Sequence, residues 1–150
     1  MNIYTDASFS WQRYIDTDDK IIKGKVCIIA EDSIESPFNI IEEVGIGRVD
    51  KLKQYINIFE LIAITRAIEI AGEKGWGNIN VITDSSVAKT WATRGIRASL
   101  FTEAHRSCQE YFNKAKAGHK GRVEIMHVVR DKNPAGKLLE IEKENEQYKG

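Results

Sequence analysis

Three carboxylates stand out by their settings. Asp6 closes an apolar strand-like run, NIYTDAS, and Asp84 closes a second, NINVITDSS. Glu60 lies near the start of the long helix-forming run between them, QYINIFELIAITRAIEIAGEKG. Two strands ending in Asp, with a Glu on the first long helix, make a candidate carboxylate cluster. Acids that crowd together repel one another and raise each other's pKa unless a cation sits among them. Hard divalent cations take oxygen ligands, and Mg²⁺ keeps several waters, so a few carboxylates suffice to hold it. Glu60 also fits a simpler role. With Asn57 as N-cap it occupies the third helical position, as in a capping box.

The elements that must position these acids follow from periodicity. A first strand is expected over residues 1–9, then a polar loop or hairpin connection over 10–23. Lys25–Ala30 is a continuous apolar run that reads as a strand buried on both faces. A turn containing Pro37 leads to a third strand, Ile40–Arg48. Three strands joined by short turns predict an antiparallel meander. The helix over Gln54–Gly75 has a wide apolar face, as on a helix laid against a sheet. Asn78–Thr83 is a fourth strand, expected to lie parallel to a neighbour because it follows a helix. Ser85 and Ser86 suit a helix start, with Gly95 at its end. A further amphipathic helix runs from Ala98 to Gly118, and Val123–Val129 is a fifth strand holding His127 as a packed residue. Pro134 is well placed at the first position of a last helix. The order predicts a mixed five-stranded sheet, three antiparallel strands and then two parallel, flanked by helices in an α/β layered fold. Ligands in such sheets bind at the carboxyl ends of strands, where Asp84 and Asp6 fall.

Composition narrows the class. At 150 residues the chain is read as one domain, residues 1–150, able to bury a core without staples. Hydrophobic content of 42% and charged content of 29% fit a globular protein in water. The formal net charge of zero excludes a global basic field that would draw in nucleic acid, but not a site whose cations bridge acids to phosphate. Lys114, Lys116, His119, Lys120 and Arg122 read as a solvated helix end, cations at the negative pole of the dipole. Cys27 and Cys108 have no metal-ligand spacing, and Cys27 is expected to pack as a small hydrophobe. No disulfide framework, secretory leader or membrane-length apolar run is read, so a cytoplasmic location is expected.

Four segments together, IYTDAS, NIFELIAITRAIEIA, VITDSSVAKTW and HVVRDKNPAGKLLE, resemble a ribonuclease H type I domain in order and spacing, over nearly the whole chain. The resemblance implies an endoribonuclease that hydrolyses the RNA strand of RNA–DNA hybrids with two Mg²⁺ ions, Mn²⁺ being able to substitute. Phosphodiester hydrolysis needs an in-line water and a stabilised leaving oxygen, and two cations about 3.5–4 Å apart serve both. The resemblance makes Asp6 the bridge between the ions and gives the leaving-group ion to Glu60 and Asp84. It also implies an RNA–DNA hybrid as partner, no membrane, no obligate protein partner and a monomer.

Two features depart from that pattern. The family carries an acid early in the last helix, three or four residues after an Asn; here Asn133 is followed by Pro134, Ala135, Gly136 and Lys137. Glu140 is one candidate replacement as metal ligand and catalytic carboxylate. Residues four apart share a helix face and helical side chains lean toward the N-terminus, and Gly136 leaves room for that lean. Asp131, in the loop before the helix, is the alternative. The second departure is in that loop, where many relatives carry a mobile His and this chain reads Arg130-Asp131-Lys132. It resembles the branch with Arg, and Arg130 is a candidate bidentate donor to the scissile phosphate.

For the substrate, Ser8 lies just past Asp6 and is a candidate to meet a ribose 2′-hydroxyl, the group that separates RNA from DNA. Asn57 matches a family position that touches the minor groove. Ser85, with Ser86, is a candidate phosphate contact at a helix start. Two other readings compete: a resolvase-like or 3′–5′ exonuclease-like enzyme on the same fold, or a non-catalytic nucleic-acid-binding module that has lost its fourth acid. The Asp-x-Glu pair usual on strand one of the exonucleases is absent from Asp6-Ala7-Ser8.

Overall fold

Hairpin-type pairing dominates the first third of the chain. In the computed structural model, which describes residues 1–10, 19–31, 38–48, 55–97 and 102–148, with side chains to Asn145, β1 (Asn2–Phe9), β2 (Ile21–Ala30) and β3 (Phe38–Gly47) are antiparallel neighbours. β4 (Ile79–Thr83) then adds to the other side of β1 in parallel, and β5 (Val123–His127) adds in parallel to β4. The sheet order is β3-β2-β1-β4-β5, the mixed five-stranded arrangement expected from the pattern. Among the described residues the helices are α1 (Tyr55–Lys74), α2 (Ser86–Arg94), α3 (Glu103–Gly118) and α4 (Pro134–Tyr148), with a 3₁₀ turn at Arg130–Lys132.

Alternation along the strands splits the interior in two. Ile3, Ala7, Val26 and Ile28 face α1, α2 and α3 and form the main core. Tyr4, Cys27 and Ile29 face the other way and meet Ala135, Leu138 and Leu139 of α4 in a smaller cluster. Helix α1 is buried almost all round, because it lies on the sheet and is covered in turn by α3. Its close approach depends on Gly24, where a β-carbon would meet the Phe59 ring at 2.9 Å and the Ser8 carbonyl at 2.8 Å. Phe9 stacks on Phe59 with ring centroids 5.6 Å apart and so fixes the residue beside Glu60.

Several boundaries differ from the sequence reading. β2 starts at Ile21, inside the stretch expected to be a loop, because Ile21 to Gly24 find ladder partners in Gly47 to Val44. It is not buried on both faces: Lys25 and Ile29, on the α4 side, remain partly exposed. β5 ends at His127 rather than Val129, since β4 ends opposite it at Thr83. His127 is exposed, not packed. Helix α1 already includes Tyr55, fully buried and 5.4 Å from the Phe9 ring. Asn57 therefore lies inside the first turn and is not the N-cap. α3 starts at Glu103, with Thr102 and His105 forming its capping box. The first residues assigned to it, 98–101, fall outside the described residues, as do most of the 10–23 connection, the Pro37 turn and Gln54.

Candidate active site

The parallel pair β1 and β4 ends at Thr5↔Thr83, and the next residue on each strand is an aspartate. Asp6 and Asp84 are thus neighbours at one rim by register alone. Both threonines are fully buried; Thr5 Oγ1 donates to the Ile82 carbonyl (3.2 Å) and Thr83 Oγ1 accepts from the Ser85 N–H (3.1 Å), which stiffens the rim. Glu60 arrives from α1. One carboxylate oxygen from each of Asp6, Glu60 and Asp84 lies within 4.8 Å of the others, the one such acidic group found among the described residues.

Burial sets the electrostatics. Glu60 is 5% exposed, and this desolvation, followed by the charge of Asp6, holds its pKa well above the ordinary value of 4.5. Asp6 is also raised, first by burial, while its hydrogen bond with Glu60 and the nearby Arg130 pull the other way. The Ala7 N–H, two residues past the segment of β1 that pairs with β4, donates toward both carboxyls. Glu60 Oε2 is buried without a partner. Burial and the neighbouring Asp6 charge thus favour the protonated form of Glu60, and a hard cation among the three acids would reverse that preference.

Asp84 is held from two sides. Asn133 Nδ2 donates to Asp84 Oδ2 (3.1 Å) and to the Thr5 carbonyl (2.9 Å), while its Oδ1 accepts from the Ala135 N–H (3.1 Å) as the cap of α4. His127 Nε2 donates to the Asp84 carbonyl at 3.2 Å. The sequence reading placed Asn133 before the last helix but missed this second role. Asn-Pro signals a helix start, whereas a bond to Asp84 arises only when α4 meets the rim.

The first turn of α4 presses on the cluster. A β-carbon at Gly136 would stand 2.9 Å from Asp6 Oδ2 and 3.8 Å from Asp84 Oδ2. From there a cleft of about 470 Å³ runs between the sheet and α4, lined among others by Asp6, Ser8, Lys25, Arg130, Glu140 and Glu142.

No protein-family model and no curated protein matches the chain. Solved structures do. It is similar to the RNase H1 of the halophilic archaeon Halobacterium salinarum (18% identical, 92% of both chains, TM-score 0.62). It is similar to the N-terminal RNase H domain of a Mycobacterium tuberculosis protein (13% identical, 92% of this chain and 93% of that one, TM-score 0.63). A third similar structure is LC11-RNase H1, isolated from compost by a metagenomic approach, in complex with an RNA/DNA hybrid (18% identical, 91% of both chains, TM-score 0.61). The fold is that of type I ribonuclease H.

On this ribonuclease H fold the remaining predicted residues fall as follows. Glu140 lies outside the three-acid group, on the cleft wall, with Oε1 3.4 Å from an Arg130 Nη in an exposed ion pair. Arg130 is near enough to Asp6 to oppose the rise in its pKa. Asp131 is exposed in the 3₁₀ turn and outside the acidic group. Ser8 lines the cleft beside Asp6. Asn57 is half-buried in α1, one turn before Glu60. The Ser85 hydroxyl accepts from the Ala88 N–H (3.0 Å) and caps α2.

Proposed function

We propose that the protein is an endoribonuclease that hydrolyses the RNA strand of RNA–DNA hybrids with divalent metal. One observation carries the reading. Asp6, Glu60 and Asp84 converge within 4.8 Å on a fold shared with an RNase H1 solved with such a hybrid. The residues fit a hard cation: three oxygen donors, two of them with raised pKa values, and a buried carboxylate oxygen lacking any partner. In this reading Asp6, Glu60 and Asp84 hold two Mg²⁺ ions, with Mn²⁺ as substitute. When bound, the ions supply an activated water and neutralise charge on the leaving oxygen.

The chain's own residues supply the rest. Asn133 and His127 orient Asp84, and the Ala7 N–H steadies Asp6 and Glu60. Arg130 offers a guanidinium fork to the phosphate, Ser8 and Asn57 meet the hybrid, and Ser85 receives its backbone at the start of α2. Glu140 leaves Arg130 to serve as the fourth carboxylate. Exposed pairs of this kind are worth about 0–1 kcal/mol, so the exchange is cheap. Monomeric action in the cytoplasm completes the reading; Cys27 and Cys108 are free and buried, and no helix among the described residues is long and apolar enough to cross a membrane.

The test is cleavage of labelled RNA–DNA hybrid, duplex DNA and duplex RNA with Mg²⁺ or Mn²⁺. Cleavage confined to the RNA of the hybrid supports the reading, and cutting of duplex DNA would point instead to a resolvase-like or exonuclease-like enzyme. A second reading, a binding module that no longer cuts, draws on one observation: no fourth acid joins the cluster among the described residues, where Gly136 and the paired Glu140 stand. Binding of the hybrid without cleavage at any metal concentration would favour it.

A further inference from the structure

A cation sits inside the cleft as well as on its rim. Asp6 pairs with Cys27 across β1 and β2, and Ser8 pairs with Lys25. Residues opposite one another, and residues two apart, share a face, so Lys25 projects on the same side of the sheet as Asp6, one row along. Two residues of strand span about 6.8 Å. Lys25 therefore stands in the same cleft as Asp6, one row along and one strand across.

Its setting differs from that of the other cleft cations. Lys25 Nζ is 2.9 Å from Glu142 Oε1, with the two side chains 28% and 32% exposed. Lys23–Glu43 is longer, at 3.6 Å, and both partners are about half exposed. Arg130–Glu140 is more exposed still. The Lys25–Glu142 bond joins β2 to α4 across 117 residues of sequence. The second Glu142 oxygen is buried without a partner. A half-buried carboxylate facing a channel for a polyanion repels the ligand unless it is neutralised. The ammonium neutralises it, and with three rotatable donors it can turn toward a second anion while holding the first.

We propose that Lys25 contacts a backbone phosphate of the nucleic-acid strand lying in this cleft, with Glu142 holding its ammonium in place. Lys25 is then a binding residue and Glu142 a positioning residue. The proposal rests on the nuclease reading for the identity of the strand, but its test reads binding rather than cleavage.

Fluorescence-anisotropy titrations of the Asp6→Asn chain with an RNA–DNA hybrid at several salt concentrations give the dependence of log K on log salt. Lys25→Gln in that background is expected to reduce the slope by about 0.9, the loss of one phosphate contact. Lys25→Arg should keep the slope. Lys25→Gln with Glu142→Gln restores charge balance in the cleft and guards against a folding defect, checked by thermal unfolding; its slope should remain reduced. An unchanged slope in Lys25→Gln, or a slope restored in the double variant, overturns the contact, the latter by showing that Lys25 only neutralises Glu142. If the parent does not bind the hybrid, both the contact and the nuclease reading fall. A Lys25-dependent slope in a protein whose wild type cuts nothing overturns the nuclease reading alone.

Discussion

Gly136 lies against Asp6 so closely that a β-carbon there would stand 2.9 Å from Asp6 Oδ2. The neighbour is the end of a side chain, not backbone, so an added methyl moves the carboxylate and not the fold. Gly136→Ala should lower kcat on an RNA–DNA hybrid by about 10²-fold, the scale for a ligand displaced by roughly an ångström. The unfolding midpoint should hardly change. Gly136→Asp should not act as a replacement fourth acid, because its own β-carbon displaces Asp6. Steady-state kinetics and thermal unfolding on both variants decide this, and full activity in Gly136→Ala would show that Asp6 has slack.

Asp6→Asn should abolish hydrolysis while raising the stability of the metal-free chain at neutral pH. Glu60 and Asp6 both have folded-state pKa values raised above their unfolded ones. The folded chain therefore binds more protons than the unfolded chain, and stability falls with pH above the ordinary carboxylate values of 3.8 and 4.5, up to the raised ones. Unfolding midpoints in EDTA across that window should decline for the wild type and flatten in Glu60→Gln. Adding Mg²⁺ should reverse the decline, by about 2.7 kcal/mol at a hundredfold excess over Kd.

Glu140→Gln separates a working fourth ligand from a surface acid. It should cut the rate steeply at low Mg²⁺, by about 10²-fold or more, with partial recovery at high metal or with Mn²⁺. A Mg²⁺ titration indistinguishable from the parent would leave Asp131, or three carboxylates and water, to do the work.

Asn133→Ala removes three hydrogen bonds at once: to the Thr5 carbonyl, to Asp84 and from the Ala135 N–H. The buried Thr5 carbonyl loses a donor and α4 its cap, so the cost should be about 2 kcal/mol in chemical denaturation. Metal affinity measured by calorimetry should fall as well, because Asp84 is no longer oriented. A variant with weakened folding but unchanged metal affinity would reduce Asn133 to a cap.

The mixed five-stranded sheet, the sequence of helices and the three acids were legible because each rests on local pattern: an Asp late in each of two apolar runs, and a helix between them. β1 itself continues past Asp6 to Phe9. The parallel register of β4 on β1 that makes Asp6 and Asp84 adjacent is set by strand pairing and not by that pattern. What was not legible depends on one element meeting another. Asn57 looked like a cap because the burial of Tyr55 against Phe9, which starts α1 earlier, is a tertiary event. His127 looked packed because nothing local shows that β5 is an outer strand of the sheet. Gly136 looked like room for a longer acid, whereas the helix uses that room to approach Asp6.

The bond from Asn133 to the Thr5 carbonyl closes a span of 128 residues. Asp6, Glu60 and Asp84 all leave the ribosome before Asn133 does, yet the Asp84 carboxylate gains its Asn133 donor only once α4 docks. A nascent or prematurely terminated chain that ends before Asn133 therefore carries all three acids but lacks the amide that ties Asp84 to the Thr5 carbonyl.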